Sequence, residues 1–571
     1  MNIQSPAYQE LDESSTPYLN LTLQVNRDPF VFLLYFALVH LFYFSVWDAG
    51  FVTDFLGWQE RFDQSGIMKV LTNFGVPSLH QFSNFFFYIF YKSFGINGLG
   101  WHLTFTTLHT INAFLLYLFT KRLADRLQSP NVFFIAFVGG LFFLLSPYQT
   151  EVVVWKVCLN YLLVGILLLM TLRSTLSWLE STDQRTLYLV HFFYILSLFT
   201  LELSLMVPLL SLSLLLLWTY QKNENALLKR RILQLVLPQL LLLGGYFIIT
   251  RLLYGVWIGH YGAETHLNAN FSDILGNYLR HFTKYLVFAR YFEHSTKEAI
   301  FGAFSQPGIL IPSVLAGVAL LVAYLLYFKR LAPQLRLAGW MLVAFFIMLT
   351  PIITLYFYYL LHVENDRYGY IPSMFFGVFL AALVALFPRW VRLTVLAGWL
   401  FVSAFYLEKT IHFWSVSTDI YYSLINKFDS YNKDEVYLLN LPDNYNGVLL
   451  FRDMSGEERA FSDALQYIRH KPYTGKIHEV AQYNMTTAMD GAKAQRDSTG
   501  AIVVTFNQWG NWWWHNGIGA SSYEKKEYSF EPKGQSFELR LKEKPVNAVF
   551  IYQMGANWEL LEKGNRAPSS K

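Results

Sequence analysis

About eleven apolar runs, each close to the roughly 20 residues needed to cross a hydrocarbon core, constrain this chain more than any other feature. They lie near residues 30–47, 101–120, 132–147, 158–176, 186–201, 204–220, 232–250, 308–328, 337–357, 370–387 and 391–408. Backbone groups at that depth are satisfied only inside helices or closed barrels, and long runs without alternation predict helices. Composition agrees: 15% of the 571 residues are charged, against about 25% in a soluble domain. The expected fold is therefore a polytopic α-helical membrane protein. A net charge of +4 and the lack of a basic tract with interleaved aromatics give no reason to expect a nucleic-acid partner. The single cysteine, Cys158, rules out an intramolecular disulfide and a thiolate metal site.

Lys and Arg in the short loops set the expected orientation. Lys121, Arg122 and Arg126; Arg173 and Arg185; Lys222, Lys229, Arg230 and Arg231; Lys329, Arg330 and Arg336; and Arg389 with Arg392 follow alternate runs. All then share one face, predicted cytoplasmic, which places the chain in the inner (plasma) membrane with its N-terminus inside. Residues 1–28 are polar and lack a secretory leader pattern, so they are expected as a cytoplasmic tail. Residues 29–410 form the predicted membrane domain, with large external loops at 48–100 and 251–306. In them, residues 83–94 and 271–292 read as amphipathic or aromatic helices lying at the membrane interface. From 411 to 571 the chain turns polar, with period-two stretches starting at Glu435, Gly500, Ser536 and Ala548 and a helix expected over 461–469. That part is expected to be a small α+β or β-rich extracytoplasmic domain.

Candidate chemistry collects on the external side. Asp48 and Asp54 bracket the sequence Ala-Gly-Phe-Val-Thr, directly after the first apolar run and before Trp58. Asp caps helices and favours turns, but a carboxylate at a membrane surface can also serve as general base toward a hydroxyl. His102, Thr106, His109 and Asn112 form one helical stripe. For Asn112 this predicts interhelical hydrogen bonds, whereas His102 is open to either reading. Glu151 lies in a turn with Pro147 and Trp155, and Trp155 can equally be an interfacial belt residue. Glu202 sits at the junction of two runs, where the cost of burial calls for a partner. In Glu364-Asn365-Asp366-Arg367, Arg367 offers a planar fork for phosphate or a local ion pair with Glu364 or Asp366. Phosphate is preferred because Arg251, Arg280 and Lys284 share that face. The Trp-rich stretch 507–515 fits sugar stacking as well as a packed core.

Taken in order, Asp48…Asp54, Phe94–His102, Leu108–Leu116, Ser146–Trp155 and Glu364–Ser373 resemble the GT-C superfamily of integral-membrane glycosyltransferases, nearest the protein O-mannosyltransferase branch and its bacterial relatives. The likeness covers roughly residues 30–410. It implies a GT-C-like membrane domain and an inverting transfer of a sugar from a polyprenyl-phosphate donor to an acceptor hydroxyl on a protein, glycolipid or polymer of the cell envelope. It also implies a first-loop acid as catalytic base, Asp54 ahead of Asp48. Arg367, Arg251, Arg280 and Lys284 would bind the donor phosphate, and Trp58, His102, Glu151, Glu202 and Glu364 would shape the sugar and acceptor pocket. The lipid-linked sugar is the one expected co-substrate. A divalent metal is allowed by the chemistry but has no ligand pattern here. The chain departs from the resemblance at Ser146 and Gln149, where relatives often carry His, at Cys158–Asn160, where their Gly-Arg is missing, and at Leu201, where their Lys precedes the Glu. These departures keep open a non-catalytic scaffold with envelope partners bound through 411–571.

Overall fold

The computed structural model describes residues 27–72, 78–257, 270–355, 365–452, 459–507, 521–543 and 545–561. The expected tail before Arg27, Glu364 and most of the Trp-rich stretch (508–515) lie outside the described residues.

Each of the eleven apolar runs forms a helix. They are interleaved with shorter helices that belong to loops. In order, the helices are α1 (Asp28–Tyr43), α2 (Asp54–Gln64), α3 (Ile67–Thr72), α4 (Gln81–Phe94), α5 (Gly98–Arg126), α6 (Val132–Leu144), α7 (Thr150–Val154), α8 (Leu159–Ser181), α9 (Gln184–Leu198), α10 (Val207–Lys222), α11 (Asn225–Arg231), α12 (Leu237–Tyr254), α13 (Phe271–Val287), α14 (His294–Ala303), α15 (Pro307–Tyr327), α16 (Pro333–Leu349), α17 (Tyr370–Val384), α18 (Arg389–Lys427) and α19 (Ala460–Tyr467). Among the described residues, nine helical segments are long and apolar enough to cross a membrane, and the stretch from α6 to α7, bent by 53°, makes a tenth. The expected span at 186–201 is the exception. Its helix α9 has only 15 residues, which at about 1.5 Å per residue falls short of a hydrocarbon core.

Small residues set the closest approach in the bundle. The helices α6 and α17 meet at Gly139 and Gly377, where a Cβ on Gly139 would stand 2.8 Å from the Val378 side chain. Close backbone approach of this kind is how membrane helices gain dispersion energy that lipid does not already offer. The basic loop residues do gather. Lys121 pairs with Asp28 at 2.6 Å, Arg122 and Arg126 share Glu180 at 2.6 and 2.8 Å, and Arg336 donates to Gln221 at 2.9 Å.

The last helix decides how the two parts of the chain meet. With 39 residues, α18 is about 58 Å long, roughly twice the hydrocarbon thickness. Its first half exposes Trp390, Phe401 and Phe405, whereas Ile411, Trp414, Ile420, Tyr421, Leu424 and Ile425 are buried. So the helix runs on past residue 410 without a break and becomes the post on which the C-terminal part packs. Ser417 donates to Leu449 O at 2.9 Å, and Trp558 donates to Leu424 O at 2.8 Å.

Among its described residues that part holds twelve strands: β1 (Glu435–Leu438), β2 (Leu441–Tyr445), β3 (Val448–Leu449), β4 (Lys476–Glu479), β5 (Gln482–Met485), β6 (Ala492–Arg496), β7 (Ile502–Phe506), β8 (Tyr523–Glu524), β9 (Tyr528–Lys533), β10 (Ser536–Leu541), β11 (Ala548–Met554) and β12 (Asn557–Leu560). They build sheets of order β12-β11-β1-β4, β3-β2-β5 and β6-β7-β10-β9-β8. β1 pairs in parallel with β4, and β2 with β5. Parallel neighbours need a crossover, and α19, the helix expected near 461, lies in it. The alternation seen at Glu435, Gly500, Ser536 and Ala548 therefore appears as β1, β7, β10 and β11.

Candidate functional site

The loop after α1 is fastened before it reaches α2. Gly50 has a φ of +88°, and a Cβ there would stand 2.0 Å from Val154 O, so only glycine lets the two backbones touch. Lys156 N donates to Gly50 O at 3.2 Å, and the Trp155 indole donates to Val52 O at 3.2 Å. Thr53 then adopts φ +53°, ψ −121°. For a β-branched residue this is a strained conformation of the kind that concentrates at functional sites. It places Asp54 at the first turn of α2.

Asp54 is half-buried in a cleft of about 140 Å³ between this loop and the C-terminal part. Thr53, Leu56 and Gly57 form one wall, and Tyr421, Phe451, Arg452 and Arg459 another. No hydrogen bond or ion pair holds its carboxylate among the described residues. Burial pushes its pKa above the ordinary carboxylate value, and the Arg367 and Arg452 cations only partly offset that. A raised carboxyl is better matched to proton transfer near neutral pH.

Behind it lies a buried charge cluster. Arg367 donates from its backbone N to Glu151 Oε2 at 2.9 Å and from its guanidinium to Glu151 Oε1, with a further bond to Asn365 Oδ1 at 3.0 Å. Its guanidinium lies 5.2 Å from the Trp155 ring centre and 4.6 Å from that of Tyr368. Of the two carboxylates expected as local ion-pair partners, Glu364 lies outside the described residues and Asp366 faces away from Arg367; among the described residues the carboxylate on Arg367 is Glu151, from the α6–α8 turn. Asp366 binds Lys284 at 2.6 Å and also Arg290. All five groups are buried, and among the described residues the cluster holds three cations and two carboxylates. Arg290 also reaches Asn446 O at 3.3 Å, tying the cluster to the C-terminal part. Trp155 is therefore a connector and not simply a belt residue, because its edge holds the Asp54 loop while its face carries Arg367.

The remaining predicted residues lie in separate settings. Asp48 is half-buried, within electrostatic reach of the buried Lys156, which in turn faces His102. His102 packs edge-on against His40 at 5.9 Å, and Thr106 bonds His40 at 3.0 Å. Asn112 makes the expected interhelical bonds, to Leu162 O at 2.9 Å and the Tyr370 hydroxyl at 3.3 Å. Glu202 has the partner its burial demanded, His80 at 2.9 Å. That partner is a histidine of the first loop. Trp58 packs on Phe62 and Phe87 beneath the Arg61 guanidinium. Two predicted phosphate ligands do not join the cluster. Arg280 is turned to Phe301 O, Asn277 and Ser305, fastening α13 to the segment after α14, and exposed Arg251 donates to Gly255 O and lies over Trp257. Asp366 was expected only as a partner of Arg367, and Arg290 and Arg452 were not among the residues expected at the site. Arg452 in particular carried no signal, since only the folding of the C-terminal part brings it to Asp54.

No protein-family model matches the chain, and no curated protein sequence matches it. Among solved structures it is similar to the crystal structure of ArnT from Cupriavidus metallidurans bound to undecaprenyl phosphate. That similarity covers 77% of this chain and 84% of the other, at 13% identity and a TM-score of 0.40. A likeness this distant assigns neither family nor function.

Proposed function

We propose that the chain is a GT-C-type membrane glycosyltransferase that moves a sugar from a polyprenyl-phosphate donor to an acceptor hydroxyl at the extracytoplasmic face, with inversion. The observation that carries this reading is the Asp54 carboxylate, which no hydrogen bond or ion pair holds among the described residues, set in a cleft after a strained residue and in front of the buried Lys284–Arg290–Arg367 cluster. Asp54 would take the proton of the acceptor hydroxyl as the oxygen attacks the anomeric carbon. The bond from that carbon to the lipid phosphate breaks, and its electrons leave with the phosphate. The Lys284–Arg290–Arg367 cluster would stabilise that negative charge where it develops. Arg452, from the C-terminal part, would close the acceptor side.

The membrane setting follows from the apolar helices, and the resemblance in motif order supports the GT-C reading. Purified Asp54→Asn and Asp48→Asn variants assayed for transfer from polyprenyl-phosphate sugars test it. Loss of about 10²-fold or more for Asp54→Asn is expected for a general base, and full activity in both variants would overturn the assignment.

A second reading, a non-catalytic scaffold, is favoured by one observation: Arg367 and Lys284 are both paired with buried carboxylates. Wild-type protein that binds no polyprenyl phosphate and co-purifies stably with other envelope proteins would decide for it.

A further inference from the structure

At the end of the bundle where the basic loops gather, the turn between α10 and α11 faces the turn between α15 and α16. A cavity of about 340 Å³ lies between them, lined by Tyr220, Asn223, Asn225, Leu326, Lys329 and Arg330. Two cations and no carboxylate line it. Lys329 donates to Asn223 and lies 5.7 Å over the Tyr220 ring. Arg330 lies 5.9 Å over Tyr327 and has no hydrogen bond or ion pair among the described residues. The walls are pinned, because Arg336 donates to Gln221 on one turn and to Lys329 O on the other, both at 2.9 Å.

The second observation is α15 itself. Only 6% of its apolar stretch is buried. Ile311, Leu315, Val318, Val322 and Leu326 are all exposed, and at spacings of three and four they form one stripe. That stripe ends in the cavity at Leu326. A seat for one anion at the foot of a bare apolar stripe matches a molecule with a phosphate head and hydrocarbon tails.

We propose that this cavity binds the headgroup of an anionic phospholipid, with the acyl chains lying along α15. The site is at the opposite end of the bundle from Asp54 and does not depend on the transferase reading. Near a membrane surface each Lys or Arg adds about 1 kcal/mol of attraction to an anionic lipid. That is about fivefold per cation, so removing both should weaken binding about 30-fold.

The test uses the full-length protein in detergent, delipidated and titrated with phosphatidylglycerol or phosphatidylcholine, with bound lipid read by native mass spectrometry. Phosphatidylglycerol should bind at least tenfold more tightly than phosphatidylcholine. The Lys329→Ala/Arg330→Ala variant should lose that preference while keeping the wild-type unfolding midpoint, and 0.5 M salt should weaken wild-type binding even if the variant misfolds. Inorganic phosphate and deacylated glycerophosphoglycerol should not compete at millimolar concentration. Equal binding of the two lipids, an unchanged folded variant, salt-insensitive binding, or competition by the deacylated headgroup would each overturn the proposal.

Discussion

Removing Glu151 should be the most informative single perturbation of the buried cluster. In Glu151→Ala, Arg367 loses two hydrogen bonds, one from its guanidinium and one from its backbone N at 2.9 Å. A bond to a charged group contributes about 1.5–3 kcal/mol. The guanidinium, in a residue 7% exposed, then loses the carboxylate that binds it among the described residues, and breaking a buried pair typically costs about 3–5 kcal/mol. Asn365 and the faces of Trp155 and Tyr368 remain to hold it, so the lower end, about 3 kcal/mol, is expected. Arg367→Met should cost about as much by stranding Glu151. The double variant leaves neither charge behind. It should therefore cost about 3 kcal/mol, not the roughly 6 that additivity would give, since contacting groups couple by up to about 3 kcal/mol. Reversible unfolding in mixed micelles, followed by tryptophan fluorescence, measures all four corners of the cycle. A Glu151→Ala loss below 1 kcal/mol, or strict additivity, would show that the pair is not the buried, mutually dependent unit described here.

Other outcomes follow from the same geometry. Because burial raises the Asp54 pKa, the native state holds that proton to higher pH than the unfolded chain. Its stabilising contribution is complete at low pH and is lost as pH rises through the native value. Asp54→Asn should therefore raise the unfolding midpoint at pH 7, with the gain closing toward pH 4, and a midpoint below wild type at pH 7 would contradict the burial argument. Gly50→Ala should sharply reduce folded yield, because its Cβ would lie 2.0 Å from Val154 O; size-exclusion recovery at wild-type level would refute the close approach. Lys156 is 1% exposed; among the described residues its ammonium has no hydrogen bond or ion pair, lying over the Phe51 and Phe105 rings at 6.0 and 5.5 Å with Asp48 within electrostatic reach. Lys156→Met should then stabilise the protein by about 1 kcal/mol, since a buried charge is often improved upon by an apolar group of like volume. A drop in the unfolding midpoint would mean that the ammonium has a partner.

Local pattern carried much of the architecture. Apolar length placed the helices, and alternation placed β1, β7, β10 and β11, because burial in lipid or in a sheet face is written into consecutive residues. Candidate acids were also legible. Asp48, Asp54, Glu151 and Glu202 stand out because ionisable groups are rare beside such runs, and Glu202 was expected to have a partner, although of these only Asp54 and Glu151 lie at the cleft and its charge cluster.

What the sequence could not supply is pairing across distance. Glu151 and Arg367 are 216 positions apart, and His80 and Glu202 are 122 apart. Such partners are chosen by which helices pack together, and no local periodicity records that. The same holds for Arg452, which reaches the Asp54 cleft only because α18 runs on past residue 410 and carries the C-terminal part with it. Composition and spacing thus determined a polytopic helical chain with acids at one end. The tertiary structure decided that Arg367 and Lys284 are held by carboxylates while Asp54 is not, because desolvated charges settle on whichever opposite charge the packing brings within reach.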